Sequence, residues 1–332
     1  MIPETKHPAV TRALHAAFSV DEYDDIRLLT GGLSTALAFK IVVRKIPYLL
    51  KIMRTELISD PRNEFACMQT AAEAGLAPRI WFANVEDRIL VTDFVEAKPF
   101  PDDLALLIAP VIRRLHALPH FPKVVNYFDA IDGFIRRFQA AKILPESATK
   151  ELFRRYADVV KVYPRNDSEL VASHNDLKPQ NIRFDGNHIW LVDWESAFLN
   201  DRYVDLAIVA NFFVEDEAQE EPYLRAYFGE PAGKRSEYRR ARFYLMRQTL
   251  SMFYATLLLL EASRAGLSID ADMTTPDFRE YHQDLIADKI DMTKAEAKLE
   301  YGMIHLREAL RSMRTARFEE AMARVSDSHT GT

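Results

Sequence analysis

The residues with the clearest chemical potential form one string, His174-Asn175-Asp176-Leu177-Lys178-Pro179-Gln180-Asn181. A short apolar stretch Ile182 to Phe184, a turn at Asp185-Gly186-Asn187 and a second stretch Ile189 to Val192 follow, ending in Asp193-Trp194-Glu195. An Asp and an Asn five positions apart, then a hairpin, then a second Asp, is an arrangement that can serve phosphoryl transfer. Asp176 would accept the hydrogen bond and then the proton of an acceptor hydroxyl. Asn181 and Asp193 would supply hard oxygen ligands suited to magnesium. Positioning and electrostatics carry most of such a reaction.

Upstream residues supply the parts that a nucleotide needs. In Thr30-Gly31-Gly32-Leu33-Ser34-Thr35, Gly31 and Gly32 would let backbone amides approach phosphate, with Ser34 or Thr35 adding a hydroxyl. The competing reading of this loop is a plain hairpin turn. Lys51 lies in the apolar run Tyr48 to Met53, where a lysine must reach an edge or pair with a charge. Its expected role is contact with the α- and β-phosphates, paired with Glu64 on the next helix; Glu73 is the other candidate partner. Asp93 and Val95, in the connector Val91 to Glu96, would meet adenine through backbone groups. ATP is thus the expected co-substrate and Mg2+ the expected cofactor.

Around these residues the pattern divides in two. From Asp25 to Phe94 it predicts a small antiparallel sheet with one helix, Pro61 to Gly75; Arg44-Lys45 and Glu86-Asp87 are the turns. Beyond Lys98-Pro99 long helical patterns dominate, at about 102–117, 125–142, 147–161, 217–228, 235–264 and 292–324, interrupted by the strands and loops of Leu170 to Glu195. After Glu195 the chain is expected to run directly into a helix. The prediction is an α+β, bilobal, protein-kinase-like fold, with a nucleotide-binding lobe at 1–97 and a helical lobe at 98–332 carrying the catalytic loop and acceptor site.

These motifs together resemble the choline/ethanolamine kinase family, within the wider aminoglycoside-phosphotransferase-like superfamily, over about residues 27–230. The resemblance rests on His174 through Asn181, on Asp193-Trp194-Glu195 with Asn200 and Asp205 after it, and on Gly31-Gly32-Leu33-Ser34, Ala74 to Pro78 and Arg114-Leu115-His116. It implies that Asp176 is the base and that Asn181 and Asp193 hold magnesium, with Glu195 on the metal or substrate side. It also implies that Asp205, Asn200 and His174 support the loop. The implied acceptor is choline or ethanolamine, its cationic end held in an aromatic cage. Departures are Ser196, where the family carries an aromatic residue, and the placing of all three tryptophans before residue 195. A cage must then draw on Tyr203, Phe212, Tyr244, Phe253 or Tyr254, for each of which core packing is the competing reading. Another acceptor, an aminoglycoside or thiamine, would keep the reaction and change the pocket. A silent nucleotide-binding scaffold is the alternative of another class. A protein kinase is disfavoured by the lack of Asp-Phe-Gly and Ala-Pro-Glu.

Whole-chain properties set outer bounds. The 332 residues carry a formal charge of -6, which argues against a general nucleic-acid binder. The acidic run Glu215 to Glu221 would suit a cationic acceptor, or simply the solvated start of a helix. The single cysteine, Cys67, fits a reducing compartment and reads as a buried small hydrophobe. The N-terminus has no apolar signal core, and the longest apolar stretch, near Met252–Leu260, is short of the roughly 20 residues that span a bilayer. A cytoplasmic location without membrane insertion is expected. The helical segment 265–332 would pack on the helical lobe or on a second subunit of a homodimer.

Overall fold

The computed structural model describes residues 2–29, 36–53, 60–165, 169–229 and 233–327. Gly31, Gly32 and Ser34 lie outside the described residues. The chain opens with helix α1 (His7–Phe18), which the sequence reading did not anticipate. Strands β1 (Asp25–Leu29), β2 (Leu37–Val43) and β3 (Ile46–Ile52) lead to α2 (Pro61–Glu73), and β4 (Ile80–Asn84) and β5 (Ile89–Asp93) complete an antiparallel sheet of order β1-β2-β3-β5-β4. The β2–β3 turn is Arg44-Lys45, both at positive φ (50° and 67°), the twist that a two-residue hairpin favours.

Strand alternation decides what each sheet face meets. Phe39, Ile41, Val43, Tyr48, Leu50, Ile52, Ile89 and Val91 point one way and pack against Ala9, Val10, Ala13 and Leu14 of α1. The opposite parity of β3 turns Lys51 toward α2 and the helical lobe. Helix α2 is started by Asp60, whose carboxylate accepts from the Arg62 N–H. It is stopped by Gly75 at φ 67°, with Leu76 N–H bonded to the Ala71 carbonyl and Gly75 N–H to that of Ala72.

The helical part holds α3 (Leu104–His116), α4 (Tyr127–Ala141) and α5 (Glu146–Val162). Two small antiparallel pairs carry the catalytic motifs: β6 (Val171–Ser173) with the later β9 (Phe198–Asn200), and β7 (Ile182–Phe184) with β8 (Ile189–Leu191). Then come α6 (Arg202–Phe213), α7 (Glu217–Phe228), the 31-residue α8 (Lys234–Arg264), α9 (Phe278–Ile286), α10 (Ala295–Met313) and α11 (Ala316–Asp327). Two sequence expectations are corrected here. The chain does not pass straight from Glu195 into a helix: a turn and β9 intervene, and α6 starts only where the Asp201 carboxylate accepts the Tyr203 N–H. The single helix expected at 292–324 is two, because the Thr315 hydroxyl bonds back to the Ser312 carbonyl and accepts the Phe318 N–H.

Helices α10 and α11 pack along α8, so the C-terminal segment is built into the helical lobe. One apolar core runs from Met53, Phe65, Met68, Leu76 and Leu90 of the sheet region into Ile112, Leu177, Leu191 and Leu206 of the helical part. A main-chain bond, Leu191 N–H to the Leu76 carbonyl at 2.9 Å, crosses the same boundary. The two parts therefore meet through dry packing as well as through the site. Among the described residues no helix is long and apolar enough to cross a membrane.

Candidate active site

Lys51 joins the two parts of the molecule. Its Nζ lies 2.8 Å from Glu64 Oε1 and 2.7 Å from Asp193 Oδ1, the latter 142 residues away in sequence. Lys51 is 7% exposed and Glu64 2%, so the pair is desolvated. Burial would lower the lysine's pKa, but the carboxylates of Asp193 and Glu64 outweigh it and hold the ammonium charged. For Glu64, burial dominates over Lys51 and pushes the carboxyl up. Asp193 is held low, the Lys51 charge and hydrogen bond overcoming its own burial. Glu73, the other candidate partner, instead accepts from Gln69 on the exposed side of α2.

Asp176 follows β6 and stands in the loop that leads to β7. Its Oδ2 accepts from Lys178 Nζ at 2.6 Å and from Asn181 Nδ2 at 2.8 Å. The second Asn181 amide hydrogen goes to the Asp176 carbonyl, also at 2.8 Å. Both N–H groups of Asn181 are thereby spent on Asp176, and its amide oxygen is turned away as an acceptor. Lys178 is the residue that the sequence reading passed over. Burial would lower its pKa, yet the charge of Asp176, followed by those of Asp193 and Glu195, keeps it raised. That one ammonium pairs with Asp176 at 2.6 Å and also feels the charges of Asp193 and Glu195. Its signal was in the sequence: a lysine two positions after the Asp can reach back to that side chain.

Behind the loop, Asp205 of α6 is fully buried and accepts three N–H groups: His174 N at 2.9 Å, Asn175 N at 2.7 Å and His116 Nε2 at 3.1 Å. His116 in turn meets the Tyr227 hydroxyl at 2.6 Å through Nδ1. His174 is buried beside Trp194, 4.8 Å between ring centroids, and burial holds it neutral. Its Nε2 lies 3.0 Å from the Val192 carbonyl and so must carry the proton. Asn175 sits at φ 65°, a conformation Asn tolerates. Its side chain spans the site floor, donating to the Ser196 carbonyl at 3.0 Å and accepting from Asn200 at 2.7 Å. Asn200 thus braces Asn175, and Asp193 is itself in the left-handed region at φ 66°.

The metal ligands can be tested by chemistry. Among the described residues no group of three or more His, Cys, Asp or Glu side chains could hold a metal by itself. A cation here would take the Asp193 carboxylate, the Asn181 amide oxygen and Glu195, an oxygen-only set that phosphate oxygens and water would complete. This fits magnesium, which is commonly bound through one or two carboxylates plus substrate phosphates. Glu195 is pushed up to about 7, first by burial and then by the Asp193 charge beside it. A cation at this point would favour its ionised form.

Other expected site residues divide. Asp93 has both its N–H and its carboxylate engaged, with the Arg79 carbonyl at 3.0 Å and Trp81 Nε1 at 2.7 Å. Val95 lies past the last paired residue of β5, where its backbone is outside the ladder. Tyr254 is half-buried, stacked on His305 at 5.3 Å, and its phenol is raised first by burial of the hydroxyl and then by the Asp176 charge. Phe212 borders the same aromatic cluster, against His282 at 4.5 Å. Tyr203 and Tyr244 are in packing roles. Tyr203 is 3% exposed beneath Arg242 and Phe228, and the Tyr244 hydroxyl bonds the Ser312 carbonyl at 2.9 Å. Tyr127 of α4, absent from the sequence expectations, has its phenol raised by burial, then by the charges of Asp205 and Asp176.

Solved structures share this architecture. A choline/ethanolamine kinase family protein from Mesorhizobium loti superposes with a TM-score of 0.69 at 20% identity, over 97% of this chain and 99% of that one. A choline kinase from Streptococcus pneumoniae gives 0.59 at 16% identity, over 86% and 98%. A spectinomycin phosphotransferase, solved with ADP and spectinomycin, gives 0.53 at 12% identity, over 89% and 98%. At these identities the likeness is one of fold. No curated protein sequence matches this chain. A family model described as "Phosphotransferase enzyme family" matches residues 25–244, a span that takes in the sheet, Lys51, Glu64, Asp176, Asn181, Asp193 and Asp205. This chain therefore belongs to the phosphotransferase enzyme family.

Proposed function

We propose that this protein is a small-molecule kinase that moves the γ-phosphate of ATP, with magnesium, onto the hydroxyl of an amino alcohol, choline or ethanolamine. One observation carries the reading: Lys51 reaches Glu64 and Asp193 at once, while Lys178 pairs with Asp176 and feels the charge of Asp193. Lys51 would take the α- and β-phosphates, and Asn181, Asp193 and Glu195 would hold the metal that offsets phosphate charge. Asp176 would orient the acceptor hydroxyl and receive its proton. Lys178, already beside Asp176, would face the transferring phosphoryl group. Asp205, Asn200 and His174 would keep the loop in place from behind.

For the acceptor, the neutral rings of Tyr254 and Tyr127, whose phenols are raised by burial and in smaller part by the Asp176 charge, support a cationic substrate, since a ring face attracts an ammonium group. The 1–97 and 98–332 segments would act as nucleotide and acceptor lobes. The test is ATP consumption with choline, ethanolamine, thiamine and an aminoglycoside as acceptors, each with and without Mg2+. Turnover on choline or ethanolamine is expected. Turnover on an aminoglycoside or thiamine alone would reject the amino-alcohol assignment. Nucleotide binding with no turnover on any of them would favour a silent scaffold.

A further inference from the structure

Helix α2, linked to Asp193 through Glu64 and Lys51, also meets the metal-side turn directly, one residue away from Glu64. Asn63 Nδ2 donates to the Ala197 carbonyl at 2.7 Å. One helical turn on, Cys67 Sγ stands 3.9 Å from the same oxygen and 3.8 Å from Asn63 Oδ1. Ala197 is 1% exposed, and its own N–H closes the turn Trp194–Ser196 by bonding the Trp194 carbonyl at 3.1 Å. That turn begins at Asp193 and contains Glu195. From the other side it is held by Asn175, through the Ser196 carbonyl. The segment carrying both metal-side carboxylates is thus gripped twice, by the catalytic loop and by α2.

The two links from α2 differ in kind. The link through Lys51 and Asp193 joins groups that a bound magnesium nucleotide would itself engage. The link through Asn63 ends on a main-chain carbonyl that no ligand needs. It can persist in free and loaded protein alike, and it sets where Glu64 stands relative to Asp193 and Glu195.

We propose that Asn63 is a positioning residue, whose amide bond to the Ala197 carbonyl keeps α2 in register with the Asp193–Ala197 turn and so assembles the magnesium–nucleotide site before ligand arrives. This rests on the kinase reading above. Two variants of the full chain test it: Asn63→Ala removes the amide, and Asn63→Asp keeps its size but places an acceptor against an acceptor.

The first readout is affinity for AMP-PNP by calorimetry, with Mg2+ and in EDTA. Both variants are expected to bind the magnesium complex about fivefold more weakly, the scale of one net hydrogen bond, with affinity in EDTA unchanged. The second is hydrogen exchange of the ligand-free protein, in which amides of α2 and of residues 194–200 are expected to exchange severalfold faster. Equal losses with and without Mg2+ would make Asn63 a general structural residue and overturn the proposal. So would variants that match wild type in affinity and exchange. Wild-type protein that binds no nucleotide would sink the kinase reading itself, and the proposal with it.

Discussion

Replacing Asp205 by Asn isolates the support beneath the catalytic loop. The substitution keeps the shape of a side chain that has no solvent exposure, and changes what its atoms can accept. Oδ2 receives His174 N–H and His116 Nε2; Oδ1 receives Asn175 N–H. An amide offers one oxygen in place of two, so at least one of these donors must face an NH2 group. A charge-assisted bond contributes about 1.5–3 kcal/mol, and an orphaned buried donor costs about 1–3 kcal/mol. Part of each is recovered by local relaxation, which leaves a net loss of about 3 kcal/mol. Trp194 reports on the event, because it is fully buried and packs on His174. Urea unfolding followed by tryptophan fluorescence should show the loss directly. The phosphoryl-transfer rate should fall by at least tenfold, since a loop displaced by even about 1 Å can cost 10²-fold. A stability change under about 0.5 kcal/mol with the rate intact would refute the argument that Asp205 holds the loop.

Asp176→Asn should abolish turnover while leaving magnesium–nucleotide affinity within about twofold of wild type, because the base serves the acceptor; retained turnover would remove it from that role. Asp193→Ala should weaken magnesium–nucleotide binding as well as rate, and an unchanged Mg2+ titration would count against its metal role. Lys178→Met should lower kcat by 10²-fold or more, a scale typical of losing one charge-stabilising group; calorimetry would check that ground-state nucleotide binding persists. Acid should also destabilise the fold through two buried histidines, His282 of α9 and His305 of α10. Burial holds His282 down to about 3 and His305 well below its usual value, so the unfolded chain binds more protons than the folded one below pH 6.5. Stability is then fully present above pH 6.5 and falls as pH drops toward 3, by at most about 1.4 kcal/mol per pH unit for each ring. His305→Phe should flatten that slope in urea unfolding between pH 6.5 and 4.5, and an unaltered slope would contradict it.

Legibility in the sequence followed the periodicity of each element. Strands β1 to β5 and the turn at Arg44-Lys45 were readable because alternation and turn chemistry agree there. Lys51 announced its need for a partner by standing in an apolar strand, and Glu64 met that need at 2.8 Å. Helix α6 was hidden for the opposite reason. Residues 203 to 211 are buried all round, so no polar face marks a helical repeat. Helix α1 carried its signal in Ala9, Val10, Ala13 and Leu14, a short stripe in a segment otherwise polar. Lys178 was missed because its importance lies in three carboxylates brought to it by folding, of which only Asp176 is near in sequence. Tyr203 and Tyr244 could not be told from Tyr254 by spacing, because aromatic residues at helical intervals look alike whether they line a cavity or fill a core.

The pair of donors on Asp176 Oδ2 also gives the carboxylate a handedness. Lys178 and Asn181 both bind that oxygen. That oxygen is anchored, and under the proposed kinase reading Oδ1 would be the one to receive the acceptor's proton. An incoming alcohol would then be received from one side only, with its lone pair directed by a carboxylate whose rotation two hydrogen bonds oppose. Stereochemical choice among the hydroxyls of a larger acceptor would follow from that restriction before any pocket wall was felt.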